Sequence, residues 1–337
     1  MGPSIFGRNL KFANAVFPLK SVMVLETMAN MGLIYFVFLV GLEMDISIIK
    51  RTGKKTVSIA FAGMILPFLI AVCVSHLIED KDNSMNQASY VLYIGIVLSV
   101  TAFPVLARML ADLKLISTDL GKLALSISLI NDVFAWILLA LAIALSEANT
   151  GTWASVLVVI SNLVFVSFCF VIVRPAVSWL IERTPEGKPF SEFQLCIVLT
   201  GVMISAFITD VLGTHCAFGA FVYGLVIPNG PLGAAILEKL EDFVSGLLLP
   251  LFYAICGLKT DIKLISGAST WTFVLTVIPL TCLGKILGTF FISLIFQIPN
   301  RDGVVLGLLM NSKGLIEMIV LNVGREQKVQ HSLSLVI

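Results

Sequence analysis

Ten apolar runs separated by short polar segments dominate the sequence. Most reach the ~18 residues that an α-helix needs to cross a hydrocarbon core of about 30 Å, and they lack the alternating pattern of strands. The sequence therefore predicts an all-α protein with about ten transmembrane helices. The seventh run is short and rich in glycine, so we expect a tilted or partly re-entrant segment. The runs are Val22–Leu42, Thr56–Leu77, Tyr90–Leu110, Lys122–Leu145, Trp153–Ile181, Phe193–Leu212, Thr214–Ile227, Phe243–Leu258, Trp271–Phe296 and Gly303–Val323.

Composition supports a polytopic membrane protein. Hydrophobic residues make up 58% of the chain and charged residues 13%, against about 25% charged residues in ordinary soluble domains. The net charge of +1 says nothing about partners, but the absence of a basic stripe predicts no nucleic-acid partner. The six cysteines lie in apolar runs without a C-x-x-C pair, and the three histidines are scattered. We therefore expect no disulfide, metal site or cofactor.

An Asn-Asp pair lies deep in the fourth run, where Asn131 precedes Asp132. Asp132 follows Lys122 by about 15 Å of helix, near the middle of the hydrocarbon core. An ionised carboxylate at that depth costs about 2.5–3.5 kcal/mol on insertion scales, so such groups usually mark an ion pathway. The alternative is an aspartate that is held neutral or that caps a neighbouring helix.

The third run contains a proline at its centre. Pro104 has no N–H to donate, and its ring clashes with the carbonyl of Val100, so the helix must kink or open there. An opened backbone is tolerated at that depth only where it is buried in protein or lines a cavity. Thr101 adds a hydroxyl and a carbonyl that could bind a cation, although a plain proline kink is the alternative.

A second interruption falls in the tenth run, where four polar or helix-weak residues occur together. These are Asn311, Ser312, Lys313 and Gly314. Glu317 follows Lys313 by one helical turn, which predicts that their charges neutralise each other. A purely structural ion pair explains this spacing equally well.

The ninth run carries a lysine, Lys285, between Gly284 and Gly288. Two glycines four positions apart allow close helix packing. An ammonium group inside the membrane needs a counter-charge or the carbonyls at a helix C-terminus. Two interrupted helices on distant segments are typical of inverted-repeat secondary transporters. Runs two to four would form one repeat and runs nine and ten would begin the other, whose last helix would follow residue 337.

Four stretches resemble the plant cation/H+ exchanger (CHX) family, within the monovalent cation:proton antiporter-2 group. They are Asn30–Asp45, Ser99–Leu115, Asn131–Leu145 and Leu308–Val323. The resemblance extends over essentially the whole chain. It implies that residues 1–337 form an incomplete sodium/hydrogen exchanger transmembrane domain with an inverted-repeat Na+/H+-antiporter-like fold and two broken helices. The family has about twelve or thirteen helices, so the first two, the last and the cytosolic tail are expected to be absent here.

The resemblance implies exchange of K+ or Na+ for H+ in a multi-pass protein of the plasma membrane or an endomembrane of a plant cell. Proton and cation would bind Asp132 alternately, and Lys285 or Lys313 would occupy the carboxylate when the cation leaves or hold the helix ends. Because the missing first helices resemble a dimer scaffold, homodimerisation and strong activity are not expected of this chain. The matching positions are Glu43 as an acid at the cytosolic entry, Thr101 and Pro104 at a break, Asn131 and Asp132 at the ion site, and Lys285 and Lys313.

Two further classes of protein remain as alternatives to an antiporter, beside a truncated chain without activity. A cation channel would usually show repeated filter loops or rings of like charge. An intramembrane aspartyl protease needs a second carboxylate beside Asp132, and Glu43, Asp210 and Glu317 are the candidates. Glu43 and Asp210 lie at predicted helix ends and Glu317 has Lys313 beside it, so we expect a transporter rather than an enzyme.

Overall fold

Long helices form the protein, whose computed structural model describes residues 18–44, 53–77, 87–116, 118–146, 152–184, 190–228, 230–259, 268–314, 317, 318 and 320. Within these ranges, eight helical segments are long and apolar enough to cross a membrane. The prediction of a polytopic all-α protein is thereby confirmed. The α-helices are α1 (Leu19–Glu43), α2 (Lys54–Leu77), α3 (Gln87–Ser99), α4 (Phe103–Asp112), α5 (Asp119–Ser146), α6 (Thr152–Phe168), α7 (Arg174–Glu182), α8 (Glu192–Val211), α9 (Cys216–Val226), α10 (Pro231–Phe243), α11 (Leu249–Lys259), α12 (Ala268–Ile295) and α13 (Asn300–Leu309).

Two membrane segments contain a π-helical turn. Cys169–Val173 joins α6 to α7, and Val244–Leu248 joins α10 to α11. The second composite helix begins at Pro231, twelve residues before the predicted start of the eighth run. The apolar pattern missed this part because α10 carries four charged residues on its solvent-accessible side (Glu238, Lys239, Glu241 and Asp242). The seventh run is indeed short, since α9 has only 11 residues.

The helices divide into two compact units, which the single predicted domain did not distinguish. The first unit comprises residues 1–45 and 156–264, and the second comprises residues 46–155 and 265–337. In the first unit, α1 packs closely against α9, because a Cβ on Gly224 would collide with the backbone of Phe38. Its core contains Phe38, Val202, Tyr223 and Leu248.

The second unit contains α2 to α5 together with α12 and α13, which are the segments assigned above to the two repeats. Side chains from four of these helices share one apolar core: Ile59 of α2, Leu106 of α4, Ile127 of α5 and Leu306 of α13. The α12 helix packs against α2, where a Cβ on Gly288 would meet the carbonyl oxygen of Ala62 at 2.7 Å. This unit therefore holds both interrupted segments within one packed body.

Candidate functional site

The first interruption lies between α3 and α4. The α3 helix ends at Ser99, Val100 still donates its N–H to the Ile96 carbonyl, and residues 100–102 are non-helical. Pro104 falls in the first turn of α4, where a residue without an N–H is tolerated. The sequence left a kink and an opening as alternatives, and in the structure the segment opens.

The second interruption follows α13. Its last turn tightens as Asn311 and Ser312 donate to carbonyls three residues back, and residues 312–314 are non-helical. The two interruptions contact each other directly, because the Ala102 N–H donates to the Ser312 carbonyl at 3.1 Å. Gly314 permits this approach, since a Cβ there would lie 2.7 Å from that of Ala102. The predicted second broken helix is confirmed.

Asp132 lies beside this contact on α5 and is fully buried. Its Oδ2 atom accepts a hydrogen bond of 3.2 Å from the backbone N–H of Phe103, the first residue of α4. A carboxylate is stabilised there because the N-terminus of a helix carries partial positive charge. The other oxygen, Oδ1, is buried, and no described residue forms a hydrogen bond with it. One half of the carboxylate is therefore held and the other half is free to bind.

Asn131 and Thr101 form a short chain of hydrogen bonds. The Thr101 hydroxyl donates to the Met310 carbonyl at 2.8 Å and accepts from the Asn131 side-chain amide at 3.3 Å. Because the amide nitrogen faces Thr101, the Asn131 Oδ1 atom points away from it. This buried oxygen has no hydrogen-bond partner in the described ranges. Thr101 thus joins the second break to the amide beside Asp132. Its hydroxyl proton is used within the protein.

Ser128 is a residue of the site that the sequence analysis missed. It lies one turn before Asp132 on α5 and its side chain is fully buried. Its hydroxyl forms no hydrogen bond with any residue that the structure describes. Residues four apart share one face of a helix, so the spacing of Ser128 and Asp132 was the available signal. Three buried oxygens with unused acceptor capacity therefore come from one stretch of α5, on Ser128, Asn131 and Asp132.

The two lysines bind the end of α3 rather than Asp132. Lys285 is 1% exposed, and its ammonium donates to the Val100 carbonyl at 2.7 Å. Lys313 donates to the carbonyls of Val97, Leu98 and Val100 at 2.8, 3.2 and 2.9 Å. These hydrogen bonds agree with one of the two roles expected for these residues, the holding of a helix end, which stays a prediction. Lys313 is less buried than the sequence suggested, since its side chain is 39% exposed.

Glu317 and Asn311 complete the second break. The Glu317 Oε1 atom lies 3.8 Å from the Lys313 ammonium, which confirms the predicted contact. The Glu317 Oε2 atom accepts a hydrogen bond of 2.6 Å from the Gly314 N–H. Asn311 donates from its side chain to the Cys282 carbonyl of α12 at 3.3 Å.

Glu43 and Asp210 do not belong to the same unit as the residues of this site. Both belong to the first unit, whereas all the residues described above belong to the second. Glu43 is the last residue of α1 and is exposed, as is Asp210 near the end of α8. The role of Glu43 as an entry acid stays a prediction.

Comparison with known proteins gives a consistent family. The sequence model described as "Sodium/hydrogen exchanger, transmembrane" matches residues 1–335. Cation/H(+) antiporter 15 of Arabidopsis thaliana is 58% identical over 98% of this chain, and Cation/H(+) antiporter 19 of the same plant is 49% identical. K(+)/H(+) antiporter 1 of Saccharomyces cerevisiae is 33% identical over 96% of this chain. The expected resemblance to plant cation/H+ exchangers is thereby confirmed.

The fold has a solved counterpart. The sodium proton antiporter MjNhaP1 from Methanocaldococcus jannaschii at pH 8 matches with a TM-score of 0.64 over 95% of this chain and 78% of that one, at 16% identity. The chain spans about 40% of the length of the plant relatives named above. Its match to the family model covers nearly every residue. This multi-pass membrane protein therefore belongs to the sodium/hydrogen exchanger family.

Proposed function

We propose that this chain forms the ion-translocating part of a secondary active transporter that exchanges a monovalent cation, K+ or Na+, for H+. The names of its relatives support this, since those proteins are called cation/H(+) or K(+)/H(+) antiporters. One observation in the structure carries the proposal. The Asn131 and Asp132 side chains each place a buried Oδ1 atom beside two interrupted helices, and within the described part of the chain neither atom has a hydrogen-bond partner.

Buried acceptor oxygens without donors suit a dehydrated alkali cation. Burying a polar atom without a partner costs free energy, and a cation that binds to several such atoms recovers it. The Asp132 carboxylate supplies the charge, while Asn131 and Ser128 supply neutral oxygens that replace water around the ion. A proton on Asp132 removes the charge that attracts the cation. Proton and cation therefore compete for one group, which is the physical requirement for coupled exchange.

The surrounding backbone holds Asp132 in place while proton and cation replace each other. The Phe103 N–H fixes one carboxylate oxygen, and Thr101 fixes the neighbouring amide. Lys285 and Lys313 satisfy the carbonyls where α3 stops. With both helix ends bound by protein groups, the site keeps its geometry while its occupant changes. Access from alternate sides of the membrane would then come from movement of the second unit as a body.

The alternative functions have weaker support. An intramembrane aspartyl protease needs two carboxylates that share a proton. Within the described part of the second unit, Glu317 is already engaged by the Gly314 N–H and the Lys313 charge. A channel would require a continuous conduit rather than a single site that proton and cation share. No specific observation favours either alternative, and we regard the protein as a transporter and not an enzyme.

Liposome reconstitution tests the proposal. The purified chain is placed in vesicles containing a pH-sensitive dye, and a K+ or Na+ gradient is imposed with and without a clamped membrane potential. An antiporter moves protons in the direction opposite to the cation flux, even when the potential is held at zero. A channel moves protons only when the potential drives them, and it gives no coupled signal under the clamp. Absence of cation-driven proton movement with both ions would contradict the proposal.

Cation preference and the identity of the membrane stay predictions. The single carboxylate of Asp132 favours exchange of one cation for one proton, which the clamped and unclamped vesicles also test. We expect K+ or Na+, H+ and membrane lipid as the partners of this chain.

A further inference from the structure

Glu317 is a buried carboxylate like Asp132, the other one in the described part of the second unit, and its two oxygens have different surroundings. The Oε2 atom accepts from the Gly314 N–H at 2.6 Å, across the second break. The Oε1 atom is buried, has no hydrogen-bond partner among the residues that the structure describes, and lies 3.8 Å from the Lys313 ammonium. One oxygen of Glu317 therefore bonds to the backbone, and the other acts on Lys313 through its charge.

The backbone contact resembles the capping box at the start of a helix. In that arrangement a Glu or Gln side chain reaches back to the N–H of the residue three positions earlier. Glu317 and Gly314 have this spacing, and Glu317 is itself helical. A glutamine would preserve the hydrogen bond because its side-chain oxygen can also accept. The cap alone therefore does not require a negative charge.

The two lysines explain why a charge is needed. Lys285 and Lys313 both donate to the carbonyl oxygen of Val100, so their ammonium groups lie close together and repel each other. The three hydrogen bonds of Lys313 to α3 use all of its N–H donors. Glu317 consequently offsets the lysine charges by proximity and not by a hydrogen bond to Lys313.

The formal charges of the four groups then cancel. Counted as ionised, Asp132 and Glu317 contribute two negative charges, and Lys285 and Lys313 contribute two positive ones. Binding of either a proton or a monovalent cation at Asp132 brings the cluster to +1. Without the charge of Glu317, the loaded cluster would reach +2, and a buried cation would be bound less readily.

We propose that Glu317 is a positioning residue for cation exchange: it fixes Gly314 at the second break, and its charge offsets the two lysines so that Asp132 can accept a cation. This inference rests on the proposed exchange function. It assigns to Glu317 a role in cation affinity, beyond a structural ion pair.

The test separates charge from hydrogen bonding. E317Q keeps an acceptor for Gly314 but removes the charge. In liposomes, its KM for the cation should rise about tenfold, while its maximal rate of cation-driven exchange should stay within about twofold of wild type. Adding K313Q to E317Q restores the formal charge balance and should lower the KM again. The control E192Q removes an exposed acid of the first unit, which pairs with Lys239, and should leave the KM unchanged.

Each outcome has a definite meaning. An unchanged KM in E317Q, or a double variant in which the KM stays raised, overturns the inference. If E317Q alone does not purify as a folded protein, the double variant should still do so, since it lacks the uncompensated lysine. Failure of both variants to fold would assign Glu317 a structural role only. Absence of exchange by the wild-type chain contradicts the proposed function instead, and that result is scored before any variant is compared.

Discussion

The ammonium group of Lys285 lies 2.7 Å from the carbonyl oxygen of Val100, although 185 positions separate the two residues in the sequence. Val100 is the first residue after α3, so its carbonyl belongs to the negative end of that helix. Lys313, which lies in the second interruption, donates to the same oxygen. A break that would otherwise leave carbonyls unsatisfied inside the membrane is therefore satisfied by two lysine side chains.

Substitution of both lysines should reveal this shared carbonyl. K285M and K313M should each lower the thermal stability of the detergent-solubilised chain. The double variant should lose more than the sum by at least about 0.5 kcal/mol, because the remaining lysine compensates in each single variant. Unfolding of the four proteins in a double-mutant cycle measures the coupling. Strict additivity would mean that the lysines act independently.

Thr101 should be replaceable by serine but not by valine. Serine keeps the hydroxyl that donates to Met310 and accepts from Asn131, whereas valine keeps the shape alone. T101V leaves a buried carbonyl and an amide with unmade bonds, at a cost of about 1–3 kcal/mol. We expect T101V to lose stability and cation affinity while T101S stays near wild type, as measured by thermal unfolding and vesicle exchange. Equal behaviour of the two variants would argue against this hydrogen-bond chain.

Gly314 should tolerate no side chain at the crossing of the breaks. An alanine Cβ would lie 2.7 Å from the Ala102 Cβ and 2.9 Å from Val105, so the two segments would have to separate. G314A should reduce exchange strongly. The matched control is G257A in α11, where a Cβ meets no atom of the described chain within 4 Å. If both variants exchange alike, close contact of the breaks is dispensable.

Pro104 should matter for transport more than for expression. Replacement by alanine supplies an N–H four residues after Val100, which can then compete with the lysines for the Val100 carbonyl. P104A should therefore lengthen the helix across the break and slow exchange. Its yield and its monodispersity in detergent, which report expression and folding, should change little. Unaltered exchange would show that Lys285 and Lys313 hold the break open without the proline.

Much of the fold could be predicted from the sequence because apolar run length reports membrane helices directly. Proline alone was a weaker signal. Pro67 and Pro279 lie inside the continuous helices α2 and α12, whereas Pro104 marks an opened segment. The difference lies in the contacts of the neighbouring backbone, here from Ala102 to Ser312, which depend on tertiary packing.

The candidate site was only partly predictable. The depth of Asp132 and the i, i+4 spacing of Lys313 and Glu317 are visible in the chain. Whether Lys285 would contact the carboxylate or a helix end could not be predicted, because both candidate partners are distant from it in the sequence. Ser128 was missed since a hydroxyl in a membrane helix usually bonds to its own backbone.

The most direct test of the account concerns Asp132, compared as D132N and D132E in liposomes with a pH-sensitive dye and an imposed K+ or Na+ gradient. Asparagine matches the shape of the side chain but cannot alternate between a proton and a cation. D132N should therefore insert and purify like wild type yet show no cation-driven proton movement, while D132E should keep partial exchange with a shifted pH optimum. Exchange by D132N at the wild-type rate would contradict the account, because the coupling carboxylate would then lie elsewhere.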